Sequence, residues 1–229
     1  MANIATHNFL VRIMKQIIIK FINRLNDTDM ESAGTILDDF AEGDKIESLN
    51  WIGEYPYRPI TLFRIARSSD SLFIKYKVQG SMLRAIYSND QDPVNEDSCV
   101  EFFCRIPGND KYMNFEFNCI GTCKASKRVA RNKDVTPYSK EELSMLKRYP
   151  SIGRRAFNEM EGMFDWDLTV KIPLRIMGID PNKLPEKITG NFYKCADGTD
   201  SRHFVTWNPI PSEKPDFHRP DCFGDLFFE

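Results

Sequence analysis

The sequence predicts an all-β fold, a two-sheet antiparallel β-sandwich with one short helix, and two observations support this prediction. First, apolar and polar residues alternate over short segments, as in residues 72–78, where Ile74, Tyr76 and Val78 are separated by lysines. This period of two is typical of a strand with one buried face. Second, strand and helix patterns do not alternate along the chain, so the strands must bury their apolar faces against a second sheet.

Ten segments carry the strand pattern. They are residues 15–22, 61–67, 72–78, 82–87, 99–104, 113–118, 166–172, 191–196, 203–207 and 225–228. In 113–118 the pattern places Glu116 on the face opposite Phe115 and Phe117. The same rule places Glu101 on the face of Cys99 and Phe103.

The one predicted helix follows Ser139. Ser139 and Glu142 have the spacing of a capping box, and the apolar residues that follow suit a short helix that ends before Pro150. The polar, basic residues 124–134 are interpreted as an exposed loop. The sequence therefore predicts no helical layer.

Length and charge limit the classes of protein. The chain has 229 residues, 31 Lys and Arg and 33 Asp and Glu, which give a formal charge of -2. This balance does not favour binding to nucleic acid, which requires a basic excess. Residues 9–22 form the longest apolar stretch, but charged residues interrupt it, so neither a membrane span nor a secretory signal is predicted. We predict one domain over residues 14–229, preceded by an N-terminal extension, residues 1–13, whose order the sequence leaves open.

The six cysteines are expected to be reduced, buried thiols. Several of them lie in apolar strand segments, and their density is too low for a disulfide scaffold. The sequence has no C-x-x-C pair and only three histidines, so structural zinc is not expected and no metal or other cofactor is predicted. Thiol usage and the missing signal favour a cytoplasmic location.

The first candidates for a catalytic or ligand-binding role are acidic residues. An inward-facing Glu101 would cost several kcal/mol if it were unpaired, so it either pairs with an arginine or binds a ligand. A carboxylate pair such as Glu101 and Glu116 is also what a glycoside hydrolase needs. No nucleophile elbow, catalytic Cys and His signature or glycine-rich phosphate loop is present, and Cys222 near His218 is not expected to form a catalytic dyad.

The segment 207–224 combines aromatic, charged and proline residues. Prolines stiffen it, and flat rings beside hydrogen-bond donors suit a sugar, whose C–H face packs on a ring. We predict that a sugar would lie over Phe217 and beside Trp207, with His218 and Arg219 as polar partners. The alternative is that these rings close one end of the sandwich core.

Four blocks together resemble the carbohydrate-binding module family 9-like proteins. The blocks are residues 96–103, 112–121, 191–195 and 207–224, in the family's order. The resemblance implies a DOMON-like β-sandwich that binds glycans or small sugars without catalysis. Members include modules attached to xylanases and other polysaccharide-degrading enzymes, and some contain calcium.

The resemblance also implies site residues. Glu101 matches the acidic residue of the family's D-S-V-E motif, and Phe217 takes the place of one of two tryptophans that enclose the sugar. Glu116 replaces an arginine, while Lys194 and Arg202 fall near an amide and an arginine of the family. The second tryptophan has no counterpart. The predicted carbohydrate-binding residues are Glu101, Glu116, Lys194, Arg202, Trp207, Phe217, His218 and Arg219.

The functional prediction is a non-catalytic carbohydrate-binding protein associated with polysaccharide catabolism. Its ligand would be a monosaccharide or oligosaccharide, with no membrane or nucleic-acid partner. Because no catalytic domain is recognised in the sequence, any glycoside hydrolase would be an intermolecular partner. The alternative is a glycoside hydrolase that acts through Glu101 and Glu116. The resemblance favours an extracellular or periplasmic location, whereas the expected free thiols and the missing signal favour the cytoplasm.

Overall fold

The computed structural model describes residues 14–229, so the predicted extension, residues 1–13, lies outside the described residues. This part of the chain forms thirteen strands and two α-helices. In chain order they are β1 (Gln16–Phe21), α1 (Met30–Phe40), β2 (Glu42–Lys45), β3 (Ile60–Arg67), β4 (Ser71–Ala85), β5 (Cys99–Arg105), β6 (Tyr112–Asn118), β7 (Cys123–Arg128), β8 (Thr136–Pro137), α2 (Lys140–Ser144), β9 (Lys147–Pro150), β10 (Phe157–Pro173), β11 (Lys187–Cys195), β12 (Phe204–Thr206) and β13 (Gly224–Phe228).

The strands form two layers that share β1. The first layer has the order β8-β7-β6-β5-β11-β13-β1, with β12 beside β11. The second has the order β1-β3-β4-β10-β9, with β2 beside β3. Residues 16–19 of β1 pair with β13, and Lys20 and Phe21 pair with β3, so the sheet bends from one layer into the other at this strand. Both pairings are parallel and all other strand pairings of the described residues are antiparallel, so the predicted antiparallel β-sandwich is confirmed with β1 as the exception.

The main core lies between the layers and confirms the period-two interpretation. Phe115 and Phe117 of β6 are fully buried in it, as are Phe102 and Phe192 of the neighbouring strands. Phe192 stacks on Phe63 of the second layer with ring centroids 3.7 Å apart. The residues that alternate with these on β5, β6, β7 and β11 lie on the outer face of the first layer. This outer face combines polar groups such as Glu101 and Glu116 with the rings of Phe103 and Tyr193, which belong to a second apolar cluster.

Several strand and loop predictions differ from the structure: β10 begins nine residues before the predicted segment 166–172, and β2, β8 and β9 were not predicted. The predicted segments 72–78 and 82–87 form the single strand β4, which pairs with β10 over Ser71–Ala85 with two register irregularities. The predicted exposed loop at residues 124–134 begins within β7. There Cys123 and Ala125 face the core, and Lys124 and Ser126 face outwards. The alternation was overlooked because the outward-facing residues of β7 are mostly basic, which is also typical of an exposed loop. In the structure, Lys124 and Arg128 line a polar cavity on the outer face of the first layer.

The short predicted helix is confirmed as α2, with the Ser139 and Glu142 capping box formed. The second helix, α1, was not predicted. The side chain of Asp29 caps it by accepting a hydrogen bond from the Ser32 backbone, and Ala33, Ile36 and Leu37 are buried beneath it. This spacing is helical, but Gly34 and two β-branched residues weaken the pattern. No helix in residues 14–229 has the length and apolar character of a membrane span.

Candidate functional site

A cavity of about 300 Å³ opens on the outer face of the first layer. Its floor is formed by β5, β6 and β7 with the end of β11, and residues 215–218 form one side. Its volume is at the lower end of the range for small-molecule sites, which is roughly 300–1,000 Å³. The lining residues are Asn95, Glu101, Phe103, Glu116, Lys124, Arg128, Arg131, Asn132, Cys195, Asp197, Phe204, Pro215, Asp216, Phe217 and His218.

Two buried carboxyl groups form the centre of the floor. Glu101 of β5 and Glu116 of β6 are directly opposite each other in the strand register, and only 3% and 6% of their surfaces are exposed. Burial raises the pKa of both groups, and repulsion from Glu116 raises the pKa of Glu101 further. A pair of this kind holds on to a proton more readily than an exposed carboxylate, so it offers both a donor and an acceptor to a hydroxyl-rich ligand.

A hydrogen-bond chain fixes Glu116. The side-chain amide of Asn114 donates to Glu116 Oε1 at 2.8 Å, and the hydroxyl of Ser126 donates to the amide oxygen of Asn114 at 2.6 Å. Arg128 in turn donates to the hydroxyl of Ser126 through Nε at 2.9 Å. Lys124 is opposite Glu116 in the register of β6 and β7. The charges of Lys124 and Arg128 partly offset the effect of burial on the pKa of Glu116.

Aromatic rings form the side of the cavity. Phe217 stacks on Tyr193, with centroids 4.3 Å apart and an angle of 9° between the ring planes. Only 8% of the Phe217 surface is exposed, so little more than an edge of its ring reaches the cavity. Phe204, which also lines the cavity, contacts Phe217 edge to face at 6.0 Å.

His218 adds a neutral polar group. Its Nδ1 atom lies 2.8 Å from the hydroxyl of Tyr112, and burial together with the charges of Arg128 and Arg131 lowers the pKa of His218 to about 3. A neutral imidazole has one nitrogen that donates and one that accepts. With Nδ1 bonded to Tyr112, the Nε2 atom is the remaining polar group for a ligand.

The cavity brings together four of the eight residues predicted from the sequence: Glu101, Glu116, Phe217 and His218. Their part in binding stays a prediction. Arg202 is exposed beside the cavity, with its guanidinium 5.4 Å from the centroid of the lining residue Phe204. Arg202 therefore lies at the rim.

Three predicted residues lie elsewhere in the structure. Trp207 is fully buried between the layers and donates from Nε1 to Asp44, so the predicted position of a sugar beside Trp207 does not match the structure. Lys194 is on the face of β11 opposite Cys195 and donates from Nζ to the Cys195 carbonyl oxygen at 2.7 Å. Arg219 pairs with Asp221 outside the lining set. The alternation along β11 predicts the placement of Lys194, because Lys194 and Cys195 are consecutive residues.

Sequence reasoning missed several lining residues. Lys124, Arg128 and Arg131 were assigned to an exposed loop, although the alternation of Cys123 and Ala125 with polar neighbours was a usable signal. Asp197 follows β11, and burial raises the pKa of its carboxyl group. No local pattern singles out Asp197, because its position depends on the turn after the strand.

The carboxyl group of Glu101 also contacts two thiols. The Cys195 thiol donates to Glu101 Oε1 at 3.2 Å, and Cys99 Sγ lies 3.9 Å from the same oxygen. In residues 14–229, this is the one group of three His, Cys, Asp or Glu side chains whose ligand atoms converge. Two sulfur donors do not suit calcium, which prefers oxygen, so the calcium implied by the resemblance is not assigned to this group.

The fold and the cavity define a β-sandwich domain with a polar pocket for a small ligand on the outer face of one sheet. The sequence matches the family model of carbohydrate-binding family 9 over residues 34–228. The chain therefore belongs to carbohydrate-binding family 9, and its general role is to bind carbohydrate without catalysis. No curated protein matches the chain.

Solved structures agree with this assignment. A protein from Bacteroides uniformis ATCC 8492 whose proposed role is carbohydrate binding shares 36% identity over 94% of this chain and 99% of its own, with a TM-score of 0.87. A family 9 module from Caldicellulosiruptor kristjanssonii in complex with glucose is 12% identical, covers 94% and 96% of the two chains and has a TM-score of 0.56. Its complex with cellotriose has a TM-score of 0.55 at 12% identity, with 94% of each chain covered. At this identity the two modules support the fold alone.

Proposed function

We propose that the cavity binds one sugar unit, either a monosaccharide such as glucose or the terminal unit of a short glucan, and releases it unchanged. The observation that carries this proposal is the buried pair of Glu101 and Glu116 at the centre of a cavity of about 300 Å³. The bound glucose and cellotriose of the Caldicellulosiruptor kristjanssonii module support the choice of ligand class.

Each part of the cavity has a distinct role in this proposal. The carboxyl pair and Lys124 bind the hydroxyl groups, with the pair supplying both donors and acceptors. His218 binds a further hydroxyl group through Nε2, and Arg202 contacts the exposed side of the sugar at the rim. The edges of Phe204 and Phe217 pack against C–H groups of the sugar.

The aromatic wall differs from that of the family pattern, in which two tryptophans enclose the sugar. Here Phe217 is covered by Tyr193, and the second tryptophan has no counterpart. Because less flat aromatic surface is available, we expect hydrogen bonds to the floor to determine specificity more than stacking does. We also infer that the protein cooperates with a separate glycoside hydrolase by holding chain ends of the polysaccharide.

The test is isothermal titration calorimetry with glucose, cellobiose and cellotriose, and with cellotriose whose reducing end has been converted to an alditol. Glu116→Gln should weaken binding by about tenfold or more, since it removes a charge-assisted hydrogen bond worth roughly 1.5–3 kcal/mol. Glu31→Gln is the matched control, because Glu31 is exposed on α1 of the other layer. Equal binding by Glu116→Gln and the native protein would reject this cavity as the site.

A further inference from the structure

The thiols of Cys99 and Cys195 meet at the floor of the cavity. The two residues are directly opposite each other in the register of β5 and β11, and Glu101 is the next residue on the same face of β5. The ligand atoms of all three side chains lie within 4.8 Å of one another. All three groups project from central strands of the first layer, so their relative positions are fixed by backbone pairing.

These separations match the edges of a metal coordination shell. Around a tetrahedral zinc ion, Zn–S bonds of about 2.3 Å and Zn–O bonds of about 2.0–2.2 Å place neighbouring ligand atoms roughly 3.5–3.8 Å apart. The observed separations from Glu101 Oε1 are 3.2 Å to Cys195 Sγ and 3.9 Å to Cys99 Sγ. The two sulfur atoms lie within 4.8 Å of each other, so side-chain shifts can bring all three ligand atoms to coordination distances without a change in the strand pairing.

We propose that Cys99, Cys195 and Glu101 form a binding site for a thiophilic divalent cation of the zinc class. Cys195 and Glu101 line the cavity, so an ion can enter from it. The side of the ion that faces the cavity is left for a fourth ligand, which a water molecule or a ligand hydroxyl group supplies. The site goes beyond sugar binding and does not depend on it.

The donor set selects the class of ion. Two thiolates favour a soft or borderline ion such as Zn²⁺ over Ca²⁺ or Mg²⁺, which take oxygen ligands. With two thiolates and one carboxylate the occupied site carries a formal charge of -1. The lining residues Lys124 and Arg128 supply nearby positive charge that compensates it.

Two further observations set this group apart from ordinary buried cysteines. Cys104 and Cys123 lie in the apolar core between the layers, whereas Cys99 and Cys195 face a carboxyl group. In addition, Asp197 lines the same cavity, and its Oδ1 atom is a buried oxygen without a hydrogen-bond partner among residues 14–229. Such an atom is costly unless a ligand or ion satisfies it.

The test uses the reduced full chain, freed of metal and carrying no histidine tag. Zn²⁺ is titrated in competition with a chromogenic chelator, and Co²⁺ is used as a spectroscopic probe. We expect one ion per chain. The Co²⁺ complex should show the intense visible bands of a tetrahedral site and a thiolate charge-transfer band in the near ultraviolet.

Cys99→Ser and Cys195→Ser should each lower zinc affinity by more than about 100-fold, because loss of a ligand exceeds the effect of losing an outer-shell partner. Glu101→Gln should also weaken binding. Cys104→Ala is the matched control, since Cys104 is buried on the opposite face of β5, and it should bind as the native protein does.

Three results would overturn the proposal. They are no zinc uptake by the reduced native protein in the presence of the chelator, a Co²⁺ spectrum without thiolate charge transfer, or unchanged affinity in folded Cys195→Ser. The Co²⁺ spectrum is recorded on the native protein, so it decides the question even if a variant fails to fold. No sugar is present, and the result is therefore independent of the calorimetric test of carbohydrate binding.

Discussion

Glu101 and Glu116 face each other across β5 and β6, and both carboxyl groups are almost completely buried. Neither has a direct ion pair of 4.0 Å or less with a basic side chain among residues 14–229. Instead, Asn114 donates to Glu116 and the Cys195 thiol donates to Glu101. Of the two alternatives for Glu101, pairing with an arginine is therefore excluded within these residues. The arrangement costs stability, which is typical of groups kept for a ligand.

The first prediction is that Glu101→Gln stabilises the protein at neutral and higher pH. Below the usual glutamate pKa of 4.5, the carboxyl group is protonated in both the folded and the unfolded chain, so it contributes no pH dependence. As the pH rises from there, the unfolded chain releases the proton first, because burial raises the pKa in the folded chain. Folding then requires proton uptake, and stability falls until the pH exceeds the folded pKa.

Glutamine removes this effect and retains an oxygen that accepts from Cys195. Urea unfolding from pH 4 to pH 9 should show a gain on the order of 1 kcal/mol for Glu101→Gln at the upper end and a smaller difference near pH 4. The exposed Glu31→Gln variant should show no gain in stability at high pH, because removing a carboxylate from the first turn of α1 costs roughly 0.3–1 kcal/mol rather than relieving burial. A Glu101→Gln variant that loses stability as the pH rises, relative to the native protein, would contradict the assigned direction.

The second prediction concerns Phe217 and replaces the expectation that its removal affects recognition more than folding. Phe217 is stacked on Tyr193 and packed against Phe204 and Trp51, so its ring is part of an aromatic cluster. Phe217→Ala should therefore cost about 3 kcal/mol or more of folding free energy. Phe217→Leu retains much of the volume and should cost less.

Thermal and urea unfolding of both variants check this expectation, with sugar affinity measured on the folded fraction. If Phe217→Ala retains native stability while affinity falls, the ring acts as a stacking platform, as the sequence analysis predicts. The exposed Phe40→Ala variant on α1 is the control for the loss of an aromatic ring, and it should change stability much less.

The alternation of apolar and polar residues accounts for the part of the fold that the sequence predicted. Strands β5 and β6 were assigned to within one residue, and the outward direction of Glu116 followed from the same pattern. The inward direction predicted for Glu101 was wrong, because Val100, Phe102 and Cys104 of β5 face the core while Glu101 lines the outer cavity with Phe103. Lys194 shows the limit of motif matching, because it was selected by a resemblance while the alternation along β11 places it on the other face. Trp207 shows the same limit, since aromatic residues near a site serve the core equally well.

The rest of the site depends on pairings that a single sequence does not reveal. Cys99 and Cys195 are far apart in the chain, and only the register of β5 and β11 brings their thiols to Glu101. A search for closely spaced metal ligands therefore could not detect them. The parallel pairing of β1 is similarly long-range, because its partner β13 is at the other end of the described chain.

The third prediction is that the protein does not hydrolyse glycosides. Membership of carbohydrate-binding family 9 supports this expectation, although Glu101 and Glu116 are a carboxyl pair of the kind that hydrolysis uses. Incubation with aryl glycosides and soluble glucans should release no product above a buffer control. Turnover that disappears in Glu101→Gln or Glu116→Gln, but persists in Glu31→Gln, would establish the hydrolase alternative.

The fourth prediction concerns the six cysteines. All six are buried, and the structure contains no disulfide among residues 14–229, which include every cysteine of the chain. Burial raises the pKa of Cys99 to about 12 and raises the pKa of Cys195, so very little reactive thiolate is present in the folded protein near pH 8. Labelling of the folded, metal-free protein should be slow, with Cys195 modified first because it alone among the cysteines lines the cavity.

Denaturation under non-reducing conditions should expose all six thiols to titration. A count of six supports a reducing compartment, whereas the family resemblance favours the extracellular or periplasmic space. A count of four would contradict the prediction and indicate one disulfide. Cys99 and Cys195 would then be the first pair to examine by mass spectrometry, because strand register already places them opposite each other at the carboxyl group of Glu101.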